Sequence, residues 1–275
     1  MNPKEIQNII ANKVTDVWEP SHDGSGHRYR NTRTGHLQRS VTTKLQVLSK
    51  PHLINWAVKM GALWLMENNR AQQLIDPNAT EAMIQGMQMA SITIRDDAGH
   101  IGGVAHDMAE RYINDWMASG ERPSDIRSFA PPNYDPRSIA SARAIEAWFI
   151  KNEVVPVASE LLVGDVKLSA GTLDLLYLDN KNRLCLGDFK TSNAIDKNSY
   201  SMQVAAYKYF FESMTGLKIY RSVILHVSKD SDKFDAYVVQ ETSSAWKAFK
   251  QICGLHDWIY SSKDKVKKDI KRISI

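Results

Sequence analysis

Asp174, Asp188 and Lys190 are two carboxylates and an amine set in an otherwise apolar stretch, residues 171–190. The stretch reads as two strands joined by a tight turn. Leu, Tyr, Cys and Phe dominate the arms, and Asp179-Asn180-Lys181-Asn182 supplies turn chemistry. Strand side chains alternate faces, so Asp188 and Lys190 point the same way. Charges on an apolar hairpin are costly unless something pairs with them. A divalent cation held by the carboxylates meets that need.

The register decides whether the carboxylates meet. An even loop, such as residues 179–182, sets Asp174 opposite Gly187 and Asp188 opposite Leu173, with the carboxylates on opposite faces. An odd loop, such as residues 180–182, sets Asp174 opposite Asp188, Leu176 opposite Leu186 and Leu178 opposite Leu184. The other face then pairs Leu173 with Phe189 and Tyr177 with Cys185. A slip of one residue flips every side chain, so only one register can hold. The odd loop matches apolar with apolar, and Asn tolerates the left-handed conformation such a loop needs. Like charges facing each other in a sheet need a cation between them. The odd register is therefore the predicted one.

Three further segments must position this hairpin. Gly99–Trp116 reads as a helix that places His106, Ala109, Glu110 and Ile113 on one face. A lone helical His is most often a hydrogen-bonded structural residue, and Glu110 one turn on reads as a solvated charge. Val154–Val163 is an apolar strand interrupted by Glu160, an acid that is either edge-exposed or functional. Tyr200–Met214 reads as a helix stopped by Gly216, with Gln203 and Tyr207 one turn apart on one face.

Gly103-Val-Ala-His106, Gly171-Thr-Leu-Asp174, Asp188-Phe189-Lys190-Thr191-Ser192 and Gln203-Val-Ala-Ala-Tyr207 follow one another in that order. Together they resemble the PD-(D/E)XK nuclease superfamily, and within it the RecB-like exonuclease branch. Ser40-Val-Thr42-Thr43, followed by Lys50-Pro51 and Trp56, also resembles phage and mitochondrial genome maintenance members. The resemblance spans residues 103–207 in its main motifs. It implies an α/β (α+β) fold with a restriction-endonuclease-like core: a mixed central sheet flanked by helices, preceded by a mainly helical N-terminal cap. The implied division is residues 1–98 for a DNA-gripping cap and 99–275 for the nuclease core. It also implies that His106 and the carbonyl of Phe189 join Asp174 and Asp188 at the metal, with Glu160 nearby.

Phosphodiester hydrolysis needs a positioned water, a way to make it hydroxide-like, and stabilisation of charge on phosphorus. A divalent cation contributes to all three. The hard oxygens of Asp174 and Asp188 suit Mg²⁺ or Mn²⁺. Lys190 can hold the water or stabilise the developing oxyanion. The hydroxyls of Thr191 and Ser192 suit phosphate, or simply cap the strand end. Gln203 and Tyr207 can hold the nucleic-acid backbone or orient the lysine. Ser40, Thr42 and Thr43 precede an apolar run, which fits either helix capping or a phosphate contact at a helix N-terminus.

The expected activity is a metal-dependent deoxyribonuclease, an exonuclease acting on single strands or frayed ends in recombination, repair or replication. The rivals are a DNA-binding recombination partner without catalysis and a structure-specific or restriction-type endonuclease. The complete Asp/Asp/Lys set argues against the first rival, and His106 with Gln203 and Tyr207 against the restriction type. No Gly-x-x-x-x-Gly-Lys-Ser/Thr motif is present, so unwinding falls to a helicase partner, or capture of the product to a single-strand annealing partner.

The whole chain agrees with a globular enzyme. It has 275 residues, 43% hydrophobic and 24% charged, with net charge +4, a mild basic excess compatible with nucleic acid. Two cysteines, Cys185 and Cys253, cannot build a disulfide framework or a cysteine-rich metal site. No apolar run approaches a membrane span, and the first residues read as neither signal nor transit peptide, so a cytoplasmic protein is expected. Helices are expected over residues 4–13, 53–68, 77–98, 139–152 and 244–261, and strands over 218–227 and 234–240. Residues 22–35 and 123–136 are expected as loops or a hairpin. The lysine-rich tail, residues 263–272, reads as a solvated terminus or a phosphate-tracking segment.

Overall fold

The computed structural model describes residues 1–14, 17–21, 27–48, 50–67, 77–192, 194–229, 231, 233–240 and 242–260. The lysine-rich tail and residues 22–26 of the expected loop lie outside the described residues.

At the centre is a five-stranded mixed sheet of β4 (Val155–Asp165), β5 (Ser169–Leu178), β6 (Leu184–Lys190), β7 (Arg221–Val227) and β8 (Phe234–Val238), in that spatial order. Neighbours are antiparallel except β6 and β7, which run parallel. A parallel pair needs a crossover, supplied here by α6 (Lys197–Thr215). Asp196 caps its start by accepting from the Ser199 N–H, and Gly216 ends it at φ 78°, a left-handed value that glycine adopts without strain.

The β5–β6 turn has the predicted odd register. Leu178 pairs with Leu184, Tyr177 with Cys185, and Leu176 with Leu186. Asp179 ties the loop by accepting from the N–H groups of Lys181 (2.9 Å) and Arg183 (3.0 Å), and Asn182 takes the left-handed conformation at φ 55°. Two expected pairs, Asp174–Asp188 and Leu173–Phe189, do not form in the ladder. The ladder stops at Leu175–Gly187, and Leu173 packs on one face of the sheet while Phe189 packs on the other. The cause is local: the Phe189 N–H is bonded at 2.6 Å by the Asp174 carboxylate, which replaces the ladder bond and parts the strands.

Helices cover both faces. On one side α1 (Pro3–Lys13), α2 (Val41–Leu45), α6 and α7 (Thr242–Tyr260) bury Ile6, Ile10, Val41, Phe210, Phe211 and Phe249 against Leu176, Leu178 and Leu186. On the other, α4 (Pro77–Ser119) and α5 (Pro136–Asn152) bury Met108, Tyr112, Ile145 and Phe149 against Leu175, Tyr177 and Leu225. A single 3-10 turn, Ile126–Phe129, lies within the expected loop before α5. Between the faces of this core, apolar residues alternate along β5 and β6 as strand geometry requires.

The N-terminal part is mainly helical, as expected, but it is not helical throughout. It contains a second, three-stranded antiparallel sheet, β1 (Trp18–Ser21), β2 (Arg28–Asn31) and β3 (Leu37–Arg39), as well as α1, α2 and α3 (Pro51–Glu67). Ser40 bridges Ala170 at the start of β5, so this small sheet sits beside the central one. Residues of α1 and α2 share the core, and α4 runs unbroken through Ala98 and Gly99, where two separate helices and a domain boundary were expected. Glycine inside a helix costs only about 1 kcal/mol, which packing along a 43-residue helix offsets. Among the described residues no helix is long and apolar enough to cross a membrane.

Candidate metal centre and nucleic-acid cleft

β4, β5 and β6 lie side by side, and their registers align three acids in one row. Ser159–Leu175 and Leu161–Leu173 place Glu160 opposite Asp174. Asp188 follows Gly187, the last β6 residue paired with β5, and the Asp174 carboxylate reaches across to accept from the next N–H, that of Phe189 (2.6 Å). Glu160 itself adopts φ 48°, a left-handed value that is strained for any residue with a Cβ. Such strain persists only where the surroundings impose it, and here it sits among the acids.

α4 crosses this row and delivers His106. Its Nδ1 lies 3.9 Å from Asp174 Oδ2, and its ring packs edge-on against Phe189. Ligand atoms of His106, Glu160 and Asp174 all lie within 4.8 Å of one another. Asp188 is outside that span. It is fully buried, with Oδ2 at 2.5 Å from the Lys190 ammonium. The contact is a close ion pair, and no group other than Lys190 meets Oδ2. Gln203 supports the other oxygen, donating from Nε2 to Asp188 Oδ1 (3.3 Å) and to Tyr207 Oη (3.3 Å).

The protonation states follow from burial and like charge. Burial, then the charges of Asp174, Glu110 and Asp188, push the Glu160 carboxyl up to about 8. Asp188 is raised to about 6 by burial and by Asp174, with Lys190 opposing. Asp174 is raised by burial against the pull of Lys190 and the Phe189 N–H. Burial and the nearby Lys190 lower His106 to about 4, so its imidazole is neutral at neutral pH. Burial alone lowers Lys190, but the carboxylates of Asp188 and Asp174 outweigh it and keep the amine charged. Three buried acids with raised carboxyls, Glu160, Asp174 and Asp188, and a neutral imidazole form a donor set that fits a divalent cation.

The expected nucleic-acid contacts divide. Thr191 and Thr42 line the cleft above the acids, with Glu160, Asp174, His106, Gln203 and Tyr207. Its volume is about 580 Å³. Gln203 and Tyr207 are buried at its floor, where Gln203 holds Asp188, and neither stands out towards a backbone. Ser40 reaches the cleft but is also the N-cap of α2, accepting from the Thr43 N–H at 3.0 Å. Thr43 is buried and takes the Ser40 hydroxyl proton at 2.8 Å, a capping role. Ser192 donates to the Ala194 carbonyl and accepts from Tyr200, away from the acids.

Two glycines set the close approaches. A Cβ on Gly171 would come within 2.8 Å of the Tyr207 ring, and one on Gly102 within 2.3 Å of Thr191 Oγ1. Gly103, the glycine of the expected Gly-x-x-His pattern, has open space instead. Sequence reasoning passed over Glu110, whose charge reaches Glu160 from the same wall as His106; the one-turn spacing was its signal. It also missed Tyr29, which bonds Thr172 at 3.1 Å and closes the opposite wall with His27. No local pattern marks a residue brought in from a separate sheet.

No family model matches the chain, and no curated protein matches it. A solved structure, "Crystal structure of SSO0001", is similar over 57% of this chain and 76% of that chain, at 13% identity and a TM-score of 0.30. A likeness that loose carries no argument about fold or function.

Proposed function

We propose that this protein is a metal-dependent deoxyribonuclease with a restriction-endonuclease-like core, of the RecB-like branch of the PD-(D/E)XK superfamily. The observation that carries the reading is the row Glu160–Asp174–Asp188 with Lys190 and neutral His106 beside it. Mg²⁺ or Mn²⁺ suits the carboxylate oxygens, and Mn²⁺ also tolerates the imidazole. His106, Glu160 and Asp174 would hold the ion, with Asp188 and the Phe189 carbonyl joining as the resemblance implies. When bound, the ion supplies Lewis acidity and a water of lowered pKa.

The chain's own groups do the rest. Lys190 carries a fixed positive charge beside the acids, suited to the negative charge that grows on phosphorus. Gln203 fixes the Asp188 carboxylate, and Tyr207 fixes Gln203. Thr191 and Thr42 present hydroxyls at the cleft walls for phosphate oxygens. The cleft lies between α4 and the segment carrying Tyr29 and Ser40, and the preference for a strand end follows from the resemblance. DNA as single strands or frayed ends, a helicase or single-strand annealing partner, and a cytoplasmic place in recombination, repair or replication belong to the same reading.

End-labelled linear single-stranded, double-stranded and circular single-stranded DNA, each with Mg²⁺, Mn²⁺ or chelator, test it on a gel. The expected result is metal-dependent degradation of the linear single strand with the circle spared. Chelator-resistant cutting overturns the metal chemistry. Rapid cutting of the circle replaces the exonuclease with an endonuclease.

A further inference from the structure

A second cleft adjoins the acidic one, and its charge is opposite. It has a volume of about 640 Å³ and is lined by Lys151 from the end of α5, His226 and Ser228 at the end of β7, and Lys229 and Lys233 in the turn before β8. Asp235 is the one acid among its lining residues. Thr191 lines both clefts, so the two adjoin just beyond the end of β6. Gly102 makes the junction possible, since any larger residue on α4 would strike the Thr191 hydroxyl.

The geometry points to this basic cleft as the track that carries the phosphate backbone of a single nucleic-acid strand to or from the acidic centre. The inference rests on the nuclease reading above and adds the strand's path. Three features support it. First, three ammonium groups against one carboxylate leave a local positive excess, the sign a polyphosphate chain requires. Second, two of the lysines are held in place. Lys229 Nζ donates to the Ala98 carbonyl of α4 (3.3 Å), and Lys151 Nζ lies 5.5 Å from the centre of the Phe234 ring. Cations ordered before binding lose less entropy on meeting a phosphate. Third, the cleft opens at the carboxyl ends of the parallel strands β6 and β7, where open α/β sheets present their ligands.

Neighbouring contacts keep the cleft basic. His226 Nε2 is turned to the Ser192 carbonyl and brings no negative charge to the cleft. The acids Glu110, Glu160, Asp174 and Asp188 all belong to the other cleft or lie beneath it. A strand would therefore meet cations first and the acids, loaded with their cation, only at Thr191. Alternating sign along two adjoining clefts both attracts a polyanion and stops it at the reacting position.

Salt-dependent binding tests the track directly. A fluorescein-labelled oligothymidine binds the whole protein in EDTA, where hydrolysis is off, and its anisotropy is followed from about 50 to 300 mM salt. Each phosphate neutralised on a single strand contributes about 0.7 to the slope of log affinity against log salt. Lys151→Ala with Lys229→Ala and Lys233→Ala is expected to lower that slope by about 2, and to weaken binding by one to two orders of magnitude at about 50 mM salt. The double variant Lys151→Ala with Lys233→Ala, which leaves the Lys229 contact to α4 intact, is expected to lower it by about 1.4. A matched triple at exposed Lys4, Lys167 and Lys247, none of them in this cleft, is expected to keep the wild-type slope.

An unchanged slope in the double variant, or an equal loss in the matched triple, overturns the track in favour of diffuse charge. Loss confined to blunt duplex DNA also overturns it, since the path is assigned to a single strand. A protein that binds through these lysines yet cuts nothing with any metal keeps the track and sinks the nuclease reading, so the two failures are distinct.

Discussion

The β5–β6 hairpin buries charge, whereas the α3–α4 helix pair exposes apolar side chains. In the hairpin, Asp174 and Asp188 lie within a sheet whose other positions are Leu, Tyr and Cys. In the helix pair, Ile54, Val58 and Met66 are 67%, 66% and 71% exposed, and Ile84, Met89 and Ile94 also face outwards. Both regions run against the simple rule of polar outside and apolar inside, and they do so at very different cost. A buried charge is expensive unless it is paired, and a cation held among these acids, as proposed, would offset that cost. An exposed apolar side chain costs little, because more than half of any protein surface is apolar anyway. Substitution should therefore act mainly on activity in the first region and on almost nothing measurable in the second.

The largest effect belongs to Asp174. Asp174→Asn keeps an acceptor for the Phe189 N–H and removes one charge from the crowded acids. Hydrolysis with Mg²⁺ or Mn²⁺ should fall by about three orders of magnitude or more, since cation binding is worth several kcal/mol of barrier. The metal-free protein should become more stable at pH 8, because a raised, desolvated acid has been neutralised. Kinetics on a linear single strand and calorimetry in EDTA check both halves. Retained activity would separate the buried acids from the chemistry and end the contrast between the two regions.

Lys190 comes next. Lys190→Met removes the cation and keeps the stem that packs beside Asp188. A kcat lower by about two orders of magnitude is expected, the scale for one charge-stabilising donor, with KM changed far less. A variant that fails only in KM would make Lys190 a backbone clamp. Its stability should also fall, because Asp188 is then buried without a counter-charge.

The two regions also differ in how far the sequence revealed them. The hairpin register was legible because strands have a period of two, and an odd loop matches Leu178 with Leu184 where an even one would set it opposite Arg183. Asn182 at positive φ agreed with the loop chemistry. The parting of the strands at Asp174 was not legible, since it depends on a side chain taking over a backbone bond. Gln203 was read at the right place on the right helix face, but only the docking of α6 makes it a support for Asp188. Tyr29 and Glu110 reach the cleft from separate elements, and no spacing within one segment records that. The continuity of α4 was hidden at Gly99, which reads as a helix start, because packing along the helix and not local propensity carries it through.

A smaller, signed effect is expected from pH. Glu160 has an ordinary value of 4.5 and is pushed up to about 8 on folding. Between those values the folded protein holds a proton that the unfolded chain has lost. The stability this provides is complete below about 4.5 and is lost as pH rises through about 8. His106 acts in the opposite sense, since its value is lowered to about 4, but its window lies below its ordinary 6.5. From pH 6.5 to 8.5 in EDTA, the melting temperature should therefore fall, and Glu160→Gln should flatten that slope. Mn²⁺ binds the deprotonated acid, so its stabilising effect should grow over the same range. A metal-free melting temperature that is flat or rising there would remove Glu160 from the charged cluster.

The smallest effect is expected on the exposed side of the comparison. Ile54→Ser, Val58→Ser and Met66→Ser replace apolar side chains that are already mostly in water, so each should change unfolding free energy by no more than about 0.5 kcal/mol. Two internal controls set the scale on the same helix pair. Met83 is buried in α4, and Met83→Ala should cost about 2 kcal/mol or more. The Trp64 ring lies over Gly86, where an added Cβ would come within 2.3 Å of it, so Gly86→Ala must push the two helices apart. Chemical denaturation of the five variants checks the ordering. If the serine variants destabilise as much as Met83→Ala, those side chains are covered in solution, and the outward face of α3 and α4 is not free surface. If they do not, the outward apolar face of α3 and α4 contributes nothing measurable to folding, in contrast to the buried acids of the hairpin.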